Sequence, residues 1–179
     1  VSREAPLAIL VDRSRDLLAA RRLLGLEPDD RYHTTDNRLP LQARRLAAYD
    51  VLVIAGHGPA NYSPGELEAI VRFVGGGGGL LLAASGGFFE RHAGRPAGEM
   101  GVAQVARRFG IEFLSPRLAA GPQRPDLSYV VGYDNAPLRL HQRLTRLGLG
   151  KRDVFLDHWS PVRASGPATV LMSHRRTGE

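Results

Sequence analysis

The chain has no cysteine, a single lysine (Lys151), a single tryptophan and no apolar run approaching the length of a membrane span, about 20 residues. Without cysteine there is no disulfide, no thiolate nucleophile and no Cys-based zinc site. The redox clue to compartment is lost with it, so the cytoplasm is the default expectation. Val1 to Pro6 lacks the charged and apolar regions of a signal peptide. Aromatic residues make up only 7% of the chain, and no stacking platform or helix-turn-helix pattern accompanies its cations. A net charge of +6 would suit an acidic partner, yet the pairs Arg21-Arg22, Arg44-Arg45, Arg107-Arg108 and Arg175-Arg176 are scattered. A solvated basic surface is therefore expected, and nucleic acid is not the expected partner.

The 43% apolar and 23% charged residues are those of a soluble globular protein. A length of 179 residues suits one domain with a substantial core, spanning 1–179. The strongest pattern lies between Tyr49 and Phe89. Val51 to Ala55 is a short apolar run without alternation, as in a strand buried on both faces of a parallel sheet. Ser63 suits a helix N-cap, Pro64 the first helical position, and Glu66 completes a capping box. Leu67, Ile70, Val71 and Val74 give that helix an apolar face. Gly75 to Gly79 ends it, and Leu80 to Ala84 is a second buried strand. Strand, crossover helix and strand make a right-handed βαβ unit.

Leu7 to Val11 reads as a first buried strand ending at Asp12, followed by a helix from Asp16 to Leu26. Tyr32-His33-Thr34 is a short strand candidate in a polar stretch, and Leu41 to Ala48 a short helix. A glycine-rich loop is expected from Ser85 through Gly101, then a helix from Val102 to Phe109 ended by Gly110. Ile111 to Phe113, Leu127 to Val131, Val154 to Leu156 and Thr169 to Met172 are strand candidates. Leu114 to Gln123 reads as loop and Pro137 to Leu147 as helix. The expected fold is three-layer α/β, with a central, mostly parallel sheet and helices on both faces. Such domains usually close with a helix, whereas this sequence stops just after a strand candidate. Truncation at the C-terminus is expected, with a homodimer or a larger parent protein covering the last residues.

The stretches LAILVDRSRD, YDVLVIAG, SPGELEAIVRFVGGGGGLLLAAS and VARRFGIEF, in that order, resemble the glutamine amidotransferase-like superfamily of flavodoxin-like α/β domains. LDHWSPVRASGPATVL is a weaker echo. The chain is most similar to the bacterial branch of that superfamily that lacks the catalytic Cys-His-Glu triad. Catalytic members carry a cysteine at the elbow after the GGLLL-type strand and a later His-x-Glu. Here the elbow position aligns with Ser85, and none of the six histidines is followed two residues later by Glu or Asp. The resemblance implies no glutamine hydrolysis.

Ligands in open α/β sheets sit beyond the carboxyl ends of the strands. Two loops leave those ends, so Gly56, His57, Gly58, Ser85, Gly86, Gly87 and Phe88 are the candidate ligand-binding residues. Ser85 lies among residues small enough for a nucleophile turn, with the Gly86 and Gly87 amides as an oxyanion hole, His57 as base and Asp12 as orienter. The plainer alternatives are a Ser85 that caps the next segment, a His57 in an inert loop and an Asp12 that caps the helix from Asp16. The histidines show neither HExxH nor HxH spacing, and the remaining metal option is a site assembled from His57, His92 and Asp12. The glycine run lacks the Lys-Ser/Thr of a phosphate loop and precedes a strand. The leading expectation is a domain without catalysis, cofactor or metal that binds a small ligand or a protein partner. A serine hydrolase or amidase built on Ser85 and His57 is the alternative.

Overall fold

Four strands pair side by side, all parallel, in a computed structural model that describes residues 5–12, 32–56, 62–84, 86–114, 129–132, 154–156, 162–165 and 173–174. They are β1 (Leu7–Asp12), β2 (Tyr32–Asn37), β3 (Val51–Ala55) and β4 (Gly79–Ala83), in the spatial order β2-β1-β3-β4. Ile9, Val11 and Val53 cluster on one face of the sheet. Leu10, Leu52 and Ile54 point to the other face and are buried as well, so the two central strands are covered on both sides. This is the α/β class expected from the sequence.

β3 has the expected bounds, whereas β4 begins and ends one residue early. Asp50 sets that start. Its backbone N–H donates to Ala8 O at 2.8 Å, its carbonyl accepts from Gly79 N at 2.8 Å, and its carboxylate Oδ2 accepts from Ala8 N at 2.9 Å. One residue thus ties the amino ends of β1, β3 and β4. β4 is not buried on both faces as expected, since Leu81 is 37% exposed. β2 is longer than its sequence suggests. Its polar residues pair with the whole of β1, from Leu7–Tyr32 to Asp12–Asn37.

Among the described residues two helices precede β4, α1 (Ala43–Leu46) and α2 (Pro64–Gly75). The capping box at the start of α2 is formed as expected. Ser63 Oγ accepts from Glu66 N at 3.3 Å and donates to Glu66 Oε2 at 2.9 Å, while Ser63 N donates to Glu66 Oε2 at 3.0 Å. Glu66 Oε1 also accepts from Leu41 N at 3.1 Å, which binds the segment before α1 to the start of α2. Replacing Ser63 with alanine should lower stability by about 1 kcal/mol. In urea unfolding the midpoint should fall without a change of slope.

The buried face of α2 comprises Glu66, Leu67, Ala69 and Ile70. Val71, expected to face inward, is 39% exposed. The stripe centres on fully buried Ile70, and Val71 lies about 100° round the helix from it. α2 ends in three backbone bonds, from Gly76 N to Arg72 O, Gly77 N to Val74 O and Gly78 N to Phe73 O. Gly77 has a φ of 97°, a conformation that glycine takes without a Cβ clash. The Phe73 ring fills the place where a side chain on Gly78 would stand.

The segment after β4 is not the expected loop. It holds α3 (Gly86–Ala93), then Gly94 at φ 63° and a 3₁₀ turn over Ala97–Glu99. Within α3 glycines hold only the first two positions, and Phe89 is buried. Glu90 Oε1 accepts from Ala97 N at 3.0 Å, and Arg95 pairs with Glu99. α4 (Gly101–Ala106) follows and passes into a 3₁₀ turn, Arg107–Phe109, ended at Gly110 as expected.

The other strands are short and antiparallel. β5 (Ile111–Phe113) pairs with β8 (Val162–Ala164), and β6 (Tyr129–Gly132) lies between β7 (Val154–Leu156) and β9 (Ser173–His174). β5 and β7 lie where expected, β6 is shifted, and β8 was not anticipated. The helices expected over 16–26 and 137–147, the loop over 115–123 and the strand over 169–172 lie outside the described residues. The chain divides into two compact units, Val1–Ala84 with Met100–Arg108, and Ser85–Glu99 with Phe109–Glu179. Among the described residues no helix is long and apolar enough to cross a membrane.

Candidate functional site

From β1 the chain moves to one side to form β2, and β3 lies on the other side of β1. The direction of winding therefore reverses between β1 and β3. In open α/β sheets such a reversal opens a crevice at the carboxyl ends of the strands. Those ends carry Asp12, Asn37, Gly56 and Ala84.

Asp12 is wholly buried there, and Asn37 and Tyr62 nearly so. Asn37 is the register partner of Asp12 at the last position of the β1–β2 ladder, and its Nδ2 donates to Asp12 Oδ1 at 2.5 Å. Tyr62, the residue before the α2 cap, donates its hydroxyl to Asp12 Oδ2 at 3.0 Å. Asn37 also donates to Leu39 O at 2.7 Å, and its Oδ1 accepts from Arg45 Nη1 at 2.9 Å. The Arg45 cation thus stands one side chain away from the buried carboxylate. On the far side, Tyr62 N donates to Gln104 Oε1 at 2.8 Å and Gln104 Nε2 donates to Tyr62 O at 3.1 Å. A chain of polar groups runs from α1 through the ends of β2 and β1 to α4.

In a buried setting such bonds are strong, and their members are costly to leave unpaired. Both oxygens of Asp12 hold donors, and these bonds tie the ends of β1 and β2 to the residue before α2. Gly56 closes β3 with a φ of 126° and donates its N–H to Ala83 O at 3.0 Å, extending the β3–β4 ladder. Gly86, Gly87 and Phe88 form the first turn of α3. His57, Gly58 and Ser85 lie outside the described residues. His92 is near the end of α3, and among the described residues no three His, Asp or Glu side chains form a metal-ligand group.

Asn37, Tyr62 and Gln104 escaped the sequence reading. The one signal was positional, because Tyr62 directly precedes a capping box, where a large side chain packs on the new helix. A concavity of about 410 Å³ lies at the opposite, amino ends of β3 and β4.

These features define an α/β domain with a parallel sheet and a buried polar cluster at its carboxyl edge. A solved structure described as the mmIFT52 N-terminal domain is similar to this chain, with a TM-score of 0.62 and 11% sequence identity. The match covers 92% of this chain and 76% of that one. At that identity the likeness bears on the fold alone. No protein-family model matches the sequence, and no curated protein does.

Proposed function

We propose that the chain is a non-catalytic, amidotransferase-like domain that binds a small ligand or a protein partner beyond the carboxyl ends of β1 and β3. The observation that carries this reading is the state of Asp12. The carboxylate that a serine mechanism would use to orient His57 is buried and holds Asn37 and Tyr62 with its two oxygens. With these two bonds it ties the ends of β1 and β2 to the residue before the α2 cap. The strand order β2-β1-β3-β4 supports the reading, since flavodoxin-like sheets share it and bind their ligand at the same reversal. The absence of the Cys and His-x-Glu of catalytic amidotransferases supports it from the sequence side.

Amide shift mapping of the ¹⁵N-labelled protein against a fragment library tests the proposal. Binders should perturb Asp12, Asn37 and Gly56 together, and should raise the melting temperature by mass action. A library that leaves these three amides unmoved would count against the site.

A further inference from the structure

Asn37 closes β2 beside the last residue of β1, and its side-chain amide is fully engaged. The nitrogen donates to Asp12 Oδ1 and Leu39 O. The oxygen accepts from Leu39 N at 3.3 Å and from Arg45 Nη1 at 2.9 Å. An amide side chain has two donors and two acceptor lone pairs, so none is left over. Asn37 is also buried, and its amide cannot turn without breaking these bonds. It is a rigid mount for the Arg45 guanidinium.

Arg45 itself is half-buried, and among the described residues no carboxylate pairs with it. The bond to Asn37 uses one N–H of a guanidinium that carries several. Asp12 stands behind Asn37 and holds Asn37 and Tyr62 with its two oxygens. The neighbouring arginines are placed differently. Arg38 pairs with Asp36 at 3.4 Å, and exposed Arg44 donates its Nε to Gln42 Oε1 at 2.9 Å. Of the three, Arg45 is the one anchored to the buried cluster. A guanidinium fork already held in place loses little freedom on meeting a carboxylate or phosphate, whose oxygens accept two parallel bonds from it.

We infer that the ligand of the carboxyl edge is a small oxyanion, a carboxylate or phosphate, received by the Arg45 fork. The inference rests on the reading that this edge binds a ligand, and it names that ligand's chemical class. The neutral Asn37 amide positions the cation without neutralising it, so the charge remains for the ligand.

Titration of the ¹⁵N-labelled protein with benzoate and with phenyl phosphate, beside neutral benzamide, tests the inference. The better anion should shift Asp12, Asn37 and Arg45 saturably, with benzamide at least about tenfold weaker. Which anion binds more tightly tells a carboxylate ligand from a phosphate. Arg45→Gln should lower the anion's affinity at least about tenfold. Arg44→Gln removes an equal charge from the same helix and should change it by less than about twofold. Benzamide binding at these amides as tightly as both anions would overturn the inference and leave the binding reading standing. Silence from every probe up to its solubility limit would overturn it and count against the binding reading too. Undiminished affinity in Arg45→Gln, or an equal loss in Arg44→Gln, would also overturn it. Melting curves verify that the variants fold. If Arg45→Gln does not, Arg45→Lys, which keeps the charge and loses the fork, takes its place, and undiminished affinity there would overturn the inference.

Discussion

Replacing Asp12 with alanine should cost about 3 kcal/mol or more of folding stability. Two buried donors, Asn37 Nδ2 and the Tyr62 hydroxyl, lose the carboxylate at once, although Asn37 Nδ2 keeps its bond to Leu39 O. Each unpaired buried group costs about 1–3 kcal/mol, and the space left by the carboxylate adds to this. Asp12→Asn should be much milder, near 1 kcal/mol by the same scale, because an amide can turn its oxygen to Asn37 and its nitrogen to the Tyr62 oxygen. Tyr62→Phe should fall between them. Because the three residues share one network, Asp12→Ala with Tyr62→Phe should cost less than the sum of the two. Urea unfolding of the four variants checks the series. An alanine variant as stable as the asparagine variant would mean that the carboxylate does not hold the strand ends.

A comparable loss, in the other compact unit, is expected from Gly110→Ala. Gly110 has a φ of 74°, and an added Cβ would meet the Ser165 backbone carbonyl. The left-handed conformation alone costs a non-glycine residue roughly 1–2 kcal/mol. The collision adds to it by displacing Ser165, whose N–H and hydroxyl both donate to Gly110 O, at 2.7 and 3.1 Å. A total of about 3 kcal/mol is expected on the scale of strained and over-packed sites. Hydrogen exchange should show it as lost protection in β5 and β8, with β1 and β3 unaffected. Gly65→Ala is the control. It stands in α2 with open space around it and no positive φ, so alanine should stabilise the protein by roughly 0.5–1 kcal/mol.

What the sequence disclosed was local. Ser63, Pro64 and Glu66 meet within one helical turn, so their spacing suffices to place the start of α2. β1 and β3 are apolar runs whose composition fits burial on both faces, and nothing remote is needed to recognise them. β2 shows where this fails. Its sequence, YHTTDN, has no apolar pattern, and it is a strand because β1 offers it six consecutive partners. The cluster at the carboxyl edge joins residues 25 and 50 positions from Asp12, a juxtaposition that only the sheet order creates. Gly86 and Gly87 read as loop, yet they open α3, where Phe89 is buried and Gly94 supplies the stop. Of the candidate site, Asp12 and Gly56 were named in advance and stand at the strand ends, while the partners that fix Asp12 were not.

The central claim is that the carboxyl edge binds without reacting, and Ser85 is where that claim is most exposed. Incubating the purified protein with a fluorophosphonate, beside a known serine hydrolase, and weighing it by intact mass spectrometry tests it in one step. An activated serine needs a base within hydrogen-bond reach, and only then does it form the phosphonyl adduct rapidly. The account predicts an unmodified chain while the control enzyme is labelled to completion. A stoichiometric adduct on Ser85, absent from Ser85→Ala and from His57→Ala, would contradict it and make the protein a serine hydrolase.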